Sequence, residues 1–136
     1  MTRAMVDDLM VQQQIKAPYK KWKHMVGVMC LNLTYRKHVK IVLPKLFAKY
    51  PNPKAYLRGR LKTQQQILKP LGMWQVRSKR IRKMTEDYLR WDGRDASELH
   101  GIGKYGSDSY QIFFNNFVPP NVQDKELKKY IDNMCR

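Results

Sequence analysis

A short glycine-containing run late in the chain has the residue types that bind phosphate. The run from His100 to Lys104 holds Gly101 and Gly103 on either side of Ile102. An apolar set at roughly helical spacing follows it: Tyr105, Ile112, Phe113 and Phe117. Glycine allows positive φ angles and places no Cβ in the way of a ligand, and such a turn before a helix N-terminus can seat a phosphate. The pattern is equally typical of a plain tight loop between helices.

Positive charge dominates the first two thirds of the chain. The formal net charge is +16, and between Leu9 and Thr85 there are nineteen Lys and Arg residues and no Asp or Glu. A surface of one sign favours a polyanionic partner, because solubility alone favours mixed charges. Charge alone leaves open a basic membrane-surface helix and an RNA-binding protein of the ribosomal kind.

Length and composition indicate one globular domain. The chain has 136 residues, 43% of them hydrophobic, and no apolar run approaches the roughly 20 residues of a membrane span. With no signal-like segment at the start, we expect a soluble intracellular protein. Two cysteines, Cys30 and Cys135, cannot build a four-cysteine iron–sulfur cluster. His24, His38 and His100 lack metal-ligand spacing, so we expect no structural zinc site.

Apolar periodicity predicts an all-α fold. The predicted helices are Met5–Ile15, Lys20–Asn32, Arg36–Tyr50, Arg60–Lys69, Trp74–Trp91 and Asp124–Cys135, with the hairpin before the last. Lys20–Asn32 is apolar almost all round and therefore predicts a central buried helix. Arg36–Tyr50 is amphipathic, with a kink expected at Pro44. In Trp74–Trp91 the basic residues, Arg77, Lys79, Arg80, Arg82 and Lys83, are expected to point largely outward.

Several segments resemble one known family in their order and spacing. They are Leu9–Gln13, Trp22–Lys23 running to Leu31–Thr34, Phe47–Pro51, Ile67–Met73, Arg77–Lys79, Asp87–Leu89, the hairpin at 97–110, and 124–132. Together they resemble the helix-hairpin-helix DNA glycosylases, most closely the thymine DNA glycosylase domains of the methyl-CpG-binding domain protein 4 type. The resemblance implies one glycosylase domain over 1–136. In it, 20–117 would form a helical bundle, 1–18 and 118–136 would pack as a second lobe, and the active site would lie in the cleft between them.

The resemblance also implies roles for particular residues. Asp124 matches the catalytic aspartate, which activates water and stabilises the positive charge that builds on the sugar. An ordinary helix N-cap is the alternative interpretation of Asp124, and Asp132 is expected to be structural. The base pocket would hold Val11, Gln12 and Tyr105; Leu33 and Met73 would be DNA wedges; and His100, Gly101, Ile102, Gly103 and Lys104 would contact phosphate, with a monovalent cation there as in relatives.

Two departures and one absence shape the expected activity. Relatives that cut the DNA strand carry a nucleophilic lysine where this chain has Tyr105, and a phenol cannot form their Schiff base. Leu33 stands where close relatives have arginine, and Glu126 stands where they have lysine near the pocket. These changes put the rate and the mismatch preference in doubt and leave a weakened or inactive paralogue open.

The resemblance therefore implies a monofunctional, mismatch-specific DNA N-glycosylase of base excision repair. It would remove thymine or uracil opposite guanine by base flipping, without strand cleavage, iron–sulfur cluster or metal site. The expected partner is double-stranded DNA with a mismatched or damaged base, bound by a monomer, in the nucleus if the source is eukaryotic. The alternative is a non-catalytic helix-hairpin-helix module that binds double-stranded DNA.

Overall fold

The computed structural model of the protein describes residues 18–32 and 34–134, and these form an all-α fold. The helices are α1 Lys20–Leu31, α2 Arg36–Lys49, α3 Pro53–Arg58, α4 Leu61–Leu68, α5 Trp74–Arg90, α6 Lys104–Phe114 and α7 Lys125–Met134, with 3-10 turns at Lys69–Leu71 and Ala96–Glu98. No strand occurs within these two ranges. The helix predicted over 5–15 lies outside the described residues, so the proposed second lobe is described only in its C-terminal part.

Helix α1 lies at the centre of the fold, as its apolar sequence predicts. Every residue from Trp22 to Leu31 is buried, and α2, α5 and α6 pack around it. The indole N–H of Trp22 donates to the Thr85 hydroxyl oxygen of α5 over 3.0 Å, which satisfies a polar atom inside the core. Among the described helices, none has the length and apolar character needed to cross a membrane.

Helix α2 is amphipathic, and it continues through Pro44 to Lys49. Its inward stripe consists of Val39, Val42, Leu43, Leu46 and Phe47, while Lys45 and Lys49 are exposed. The missing N–H of Pro44 falls on the exposed side, where water can satisfy the freed carbonyl.

Helix α3 was not predicted, because Pro51 and Pro53 suggested only a break. Asn52 caps this helix by accepting a hydrogen bond from the Ala55 N–H at 2.8 Å, and Pro53 occupies its first turn. Proline is favourable at that position because its missing N–H would have no helical partner. Pro53, which the sequence pattern marked only as a helix breaker, therefore begins a helix.

Three sequence predictions about side-chain direction are wrong. Arg77 is 7% exposed rather than outward, and Arg82 is half-buried, with Nη2 donating to the Gly59 carbonyl at 2.9 Å. Phe117 does not continue the apolar face of the hairpin helix, because α6 ends at Phe114 and Phe117 is 52% exposed. Both arginines are drawn inward because their guanidinium groups donate to backbone carbonyls at the ends of other helices.

A buried histidine joins α1 to α6. The Nε2 atom of His24 lies 2.9 Å from Oγ of Ser109, and that hydroxyl donates to the Gly106 carbonyl, so His24 is the donor of the pair. The rings of Phe113 and Phe114 lie against the imidazole. Burial lowers the pKa of His24 to about 3, so the ring is neutral at physiological pH.

Candidate functional site

A cleft of about 510 Å³ opens between the second half of α1, the start of α5 and the hairpin before α6. Its lining consists of Val28, Met29, Asn32, Met73, Val76, Arg77, Arg80, His100, Gly101, Gly103, Lys104, Tyr105 and Gly106. The volume falls within the roughly 300–1,000 Å³ of ligand-binding pockets. Residues predicted separately for phosphate contact, the base pocket and a DNA wedge therefore meet at one place.

The cleft carries positive charge. None of the described residues that line it is acidic, and Arg80 and Lys104 are exposed there. The Lys104 ammonium lies 3.0 Å from the Asp108 carboxylate, one turn further along α6, which holds the lysine beside the hairpin. The arrangement favours an anionic ligand.

The two hairpin glycines are required for different reasons. Gly101 has φ +81°, and a Cβ there would come within 2.9 Å of the Met29 methyl group. Gly103 has φ −92°, and a Cβ there would meet no protein atom within 4 Å. The backbone therefore requires the first glycine, whereas the second, which lines the cleft, has open space where a Cβ would stand.

Hydrogen bonds divide the hairpin N–H groups into two sets. The His100 N–H donates to the Asp87 carboxylate at 3.0 Å, and the Ile102 N–H donates to the Leu99 carbonyl at 3.1 Å. Because α6 begins at Lys104, the N–H groups of its first turn have no helical acceptor. A phosphate at this place would therefore meet the N-terminal end of α6 and not the N–H of His100.

Met73 forms an exposed apolar tip at the start of α5. It is 52% exposed and has left-handed backbone angles, φ 47° and ψ 35°, while Val76 beside it is 44% exposed. A left-handed backbone is uncommon for a residue other than glycine, and such positions cluster at functional sites. The predicted wedge lies at the rim of the cleft.

Arg77 forms the floor of the cleft, a role that the sequence analysis missed. Its Nη1 donates to the carbonyls of Met29 and Asn32, each at 2.9 Å, and its Nε donates to the Gly72 carbonyl at 3.2 Å. Burial lowers the pKa of the guanidinium, which nevertheless stays charged. Position 77 lies on the same helix face as the apolar residues Trp74 and Ile81. The helical periodicity therefore indicated that Arg77 points inward.

Tyr105 and Asp124 have different surroundings. Tyr105 lines the cleft and is 9% exposed, which fits both a base-pocket residue and its alternative, plain core packing. Asp124 is not among the lining residues; its carboxylate accepts a hydrogen bond from the Leu127 N–H at 3.0 Å at the start of α7. That bond is an N-cap interaction, the alternative interpretation of this aspartate.

Some predicted site residues cannot be placed. Val11, Gln12 and Leu33 lie outside the described residues, as does the side chain of Glu126.

Cys30 is buried in α1, which raises the pKa of its thiol to about 12. Over the described ranges, no three residues among His, Cys, Asp and Glu gather as a metal site would require.

Comparisons with known proteins agree with this fold. No protein-family model matches the chain. A curated relative, the methyl-CpG-binding domain protein 4-like protein of Arabidopsis thaliana, is 32% identical over 114 residues, which is 82% of this chain and 25% of the relative. The chain thus spans about a quarter of the length of that protein.

Solved structures share the architecture at low sequence identity. An endonuclease III trapped covalently on DNA matches with TM-score 0.63 at 18% identity, over 83% of this chain and 59% of that one. A thermostable thymine-DNA glycosylase matches with TM-score 0.62 at 16% identity, over 83% and 57% respectively. A non-covalent endonuclease III–DNA complex matches with TM-score 0.63 at 14% identity, over 96% and 75%. The predicted fold class is confirmed.

Proposed function

Because the chain belongs to the helix-hairpin-helix DNA glycosylase superfamily, we propose that it is a monofunctional DNA N-glycosylase that removes thymine or uracil opposite guanine. The observation that carries this proposal is the cleft itself. Within it the hairpin, Tyr105 and the Met73 tip face one positively charged space of about 510 Å³. Such a space can hold a phosphate and an evicted base, and the Met73 tip at its rim can fill the gap that the base leaves in the stack.

Each part of the cleft would have its own role in base eviction. The N-terminal end of α6 would bind the phosphate beside the lesion, since its N–H groups and dipole favour an anion. Met73 would enter the stack as an apolar wedge, and eviction would cost least at a mismatch. The Tyr105 ring offers a face for stacking and a hydroxyl for the polar edge of a pyrimidine.

Asp124 would supply the chemistry, with Gln12 and Val11 completing the base pocket. As the N-glycosidic bond breaks, positive charge builds on the sugar, and a carboxylate near it stabilises that charge and activates a water. A carboxylate has about four lone-pair sites, so its bond to the Leu127 N–H is compatible with holding a water. Because Tyr105 replaces the lysine nucleophile, base removal would leave the strand uncut.

The accompanying proposals follow from the same residues. The partner is mismatched double-stranded DNA, bound by a monomer, in the nucleus if the source is eukaryotic. The two cysteines of the sequence cannot hold a four-cysteine cluster. A monovalent cation at the hairpin would be held by backbone carbonyls, since none of the described lining residues is acidic.

The test is single-turnover base release from G·T and G·U duplexes by the wild type and Asp124→Asn. Asparagine caps a helix about as well as aspartate, so this variant keeps the cap and loses only the negative charge. We expect the rate to fall by roughly 10²–10⁴-fold, and the abasic strand that the wild type produces should be cleaved only after alkali is added. Asp132→Asn, on the exposed side of the same helix, should release base at the wild-type rate; undiminished release by Asp124→Asn rejects the assignment.

The position of Asp124 favours a second candidate. An aspartate that caps α7 and lies outside the cleft lining fits a helix-hairpin-helix module that binds DNA without catalysis. This candidate predicts duplex binding that weakens steeply with salt. It also predicts no abasic product from any lesion.

A further inference from the structure

We propose that Arg77 is a positioning residue that fixes how the Met73 tip projects from the cleft. The inference rests on the part of the proposed function in which Met73 enters the DNA stack. It does not depend on base removal. Arg77 itself would not contact DNA bases, because it is 7% exposed and its donors are directed at backbone carbonyls.

Arg77 holds the backbone on both sides of the Met73 α-carbon. Its side-chain Nε donates to the Gly72 carbonyl at 3.2 Å, and its backbone N–H donates to the Met73 carbonyl at 2.8 Å. These are the two carbonyl groups that flank Met73. Both Gly72, with φ 75°, and Met73, with φ 47°, have positive φ, so the tip depends on such outside support to keep its direction.

The other end of Arg77 is anchored on α1. Its Nη1 contacts the carbonyls of Met29 and Asn32 at 2.9 Å each, at the C-terminal end of that helix. Helix α1 has no basic residue of its own in the last turn. Arg77 therefore provides the positive charge that a helix C-terminus favours, and the tip is tied to the most deeply buried helix of the fold.

Thr34 makes a second link between the same two segments. Its Oγ1 lies 3.2 Å from the carbonyls of both Asn32 and Leu71. The end of α1 and the loop that carries Met73 are thus joined at two points. A wedge needs this rigidity because unstacking bases costs free energy. A mobile side chain would move aside instead of separating the bases.

Lysine cannot replace this arginine. The planar guanidinium presents several donors in a rigid fork, whereas an ammonium is a single point charge on a flexible stem. Arg77→Lys keeps the charge but cannot reach the α1 carbonyls and the Gly72 carbonyl together. The variant therefore tests geometry rather than electrostatics.

The experiment measures base unstacking directly. A duplex carries 2-aminopurine beside a G·T mismatch, and its fluorescence enhancement on binding is recorded for the wild type, Met73→Ala, Arg77→Lys and the double variant. Affinity for a fully matched duplex is measured alongside. The matched control is Arg82→Lys, which alters another arginine of α5 that bridges backbone carbonyls, here at Tyr56, Leu57 and Gly59.

We expect Met73→Ala and Arg77→Lys each to lower the enhancement at least fivefold, and the double variant to lose no more than either. Residues that act through one another are non-additive in this way. Matched-duplex affinity should change less than threefold, and Arg82→Lys should keep the wild-type enhancement. Wild-type enhancement in Arg77→Lys, additive losses in the double variant, or an equal loss in Arg82→Lys would each overturn the proposal.

A milder variant covers the case in which Arg77→Lys does not fold. Thr34→Val removes only the second link and should lower the enhancement about twofold; an unchanged signal in a folded Thr34→Val would then overturn the proposal. Failure of the enzymatic assignment looks different. If the wild type unstacks the probe but releases no base, the glycosylase proposal fails and the role of Arg77 stands; if the wild type never unstacks the probe, the role of Arg77 fails whatever the activity.

Discussion

The hairpin cleft and the Asp124 cap of α7 show contacts of different range. Contacts between distant parts of the chain hold the cleft: Arg77 bridges α5 to α1, and Asp87 holds the hairpin backbone at His100. At the start of α7, Asp124 contacts the N–H of Leu127, three residues away. The cleft proposed to bind DNA is thus held by the core, whereas the bond between Asp124 and the Leu127 N–H is local.

This difference means that binding and chemistry can be lost separately. Loss of a contact that frames the cleft should lower the free energy of unfolding, because the same contacts hold the core together. A change at Asp124 should leave the cleft intact.

Mild acid should weaken the frame of the cleft. The pKa of His24 is about 3 in the folded protein, lowered by burial from 6.5, so the folded state binds fewer protons than the unfolded state between these values. Stability is therefore full above pH 6.5 and falls as the pH drops towards 3. We expect the His24 contribution to the free energy of unfolding to fall by roughly 2–3 kcal/mol between pH 7 and pH 4.5, measured by urea unfolding.

Two histidine variants identify the group responsible for this loss. His24→Gln should be less stable at pH 7 but should lack most of the fall, since it has no imidazole to protonate. His38→Gln should keep the wild-type fall, since His24 is intact. If the free energy of unfolding of His24→Gln fell as much as that of the wild type, protonation of His24 would not be the cause.

The two hairpin glycines should separate stability from binding. Gly101→Ala places a Cβ on a left-handed backbone beside the Met29 methyl group, at a cost of roughly 1–2 kcal/mol. Gly103→Ala meets no protein atom, so we expect an unchanged melting temperature. Both variants should bind a duplex more weakly, which fluorescence anisotropy would measure. Undiminished binding by Gly103→Ala would show that its open side is not the ligand side.

The smallest expected effect concerns the cap of α7. Asp124→Ala should cost about 1 kcal/mol of unfolding free energy, while Asp124→Asn should cost almost nothing. Chemical denaturation gives both values. Matched-duplex affinity should change less than twofold in either variant; a larger loss would mean that the cleft and the start of α7 are not separable.

The sequence predicted the helices well and the buried cations poorly. The spans of α1, α2, α5 and α6 follow from apolar spacing, since one face of each helix packs on the core. Arg77 was assigned outward by residue type, although its place on the apolar stripe pointed inward. The carbonyls that draw it in belong to α1, about 45 residues away in the chain, and no local pattern reports such a partner.

The candidate site was predictable to a similar degree. The resemblance brought together the hairpin, Tyr105 and Met73, and the structure places all three at one cleft. The catalytic role of Asp124 stays a prediction, because N-capping and catalysis favour the same residue at the same place. The base-pocket roles of Val11 and Gln12 and the wedge role of Leu33 also stay predictions.

The left-handed backbone at Met73 limits how this position can change during evolution. Side chains branched at Cβ are the most strained in that conformation, unbranched side chains are less strained, and glycine and asparagine adopt it most readily. Among homologues, valine, isoleucine and threonine should therefore be rare here however apolar the tip must be. The backbone conformation would thus limit which side chains can serve as a wedge at this position, independently of any contact with DNA.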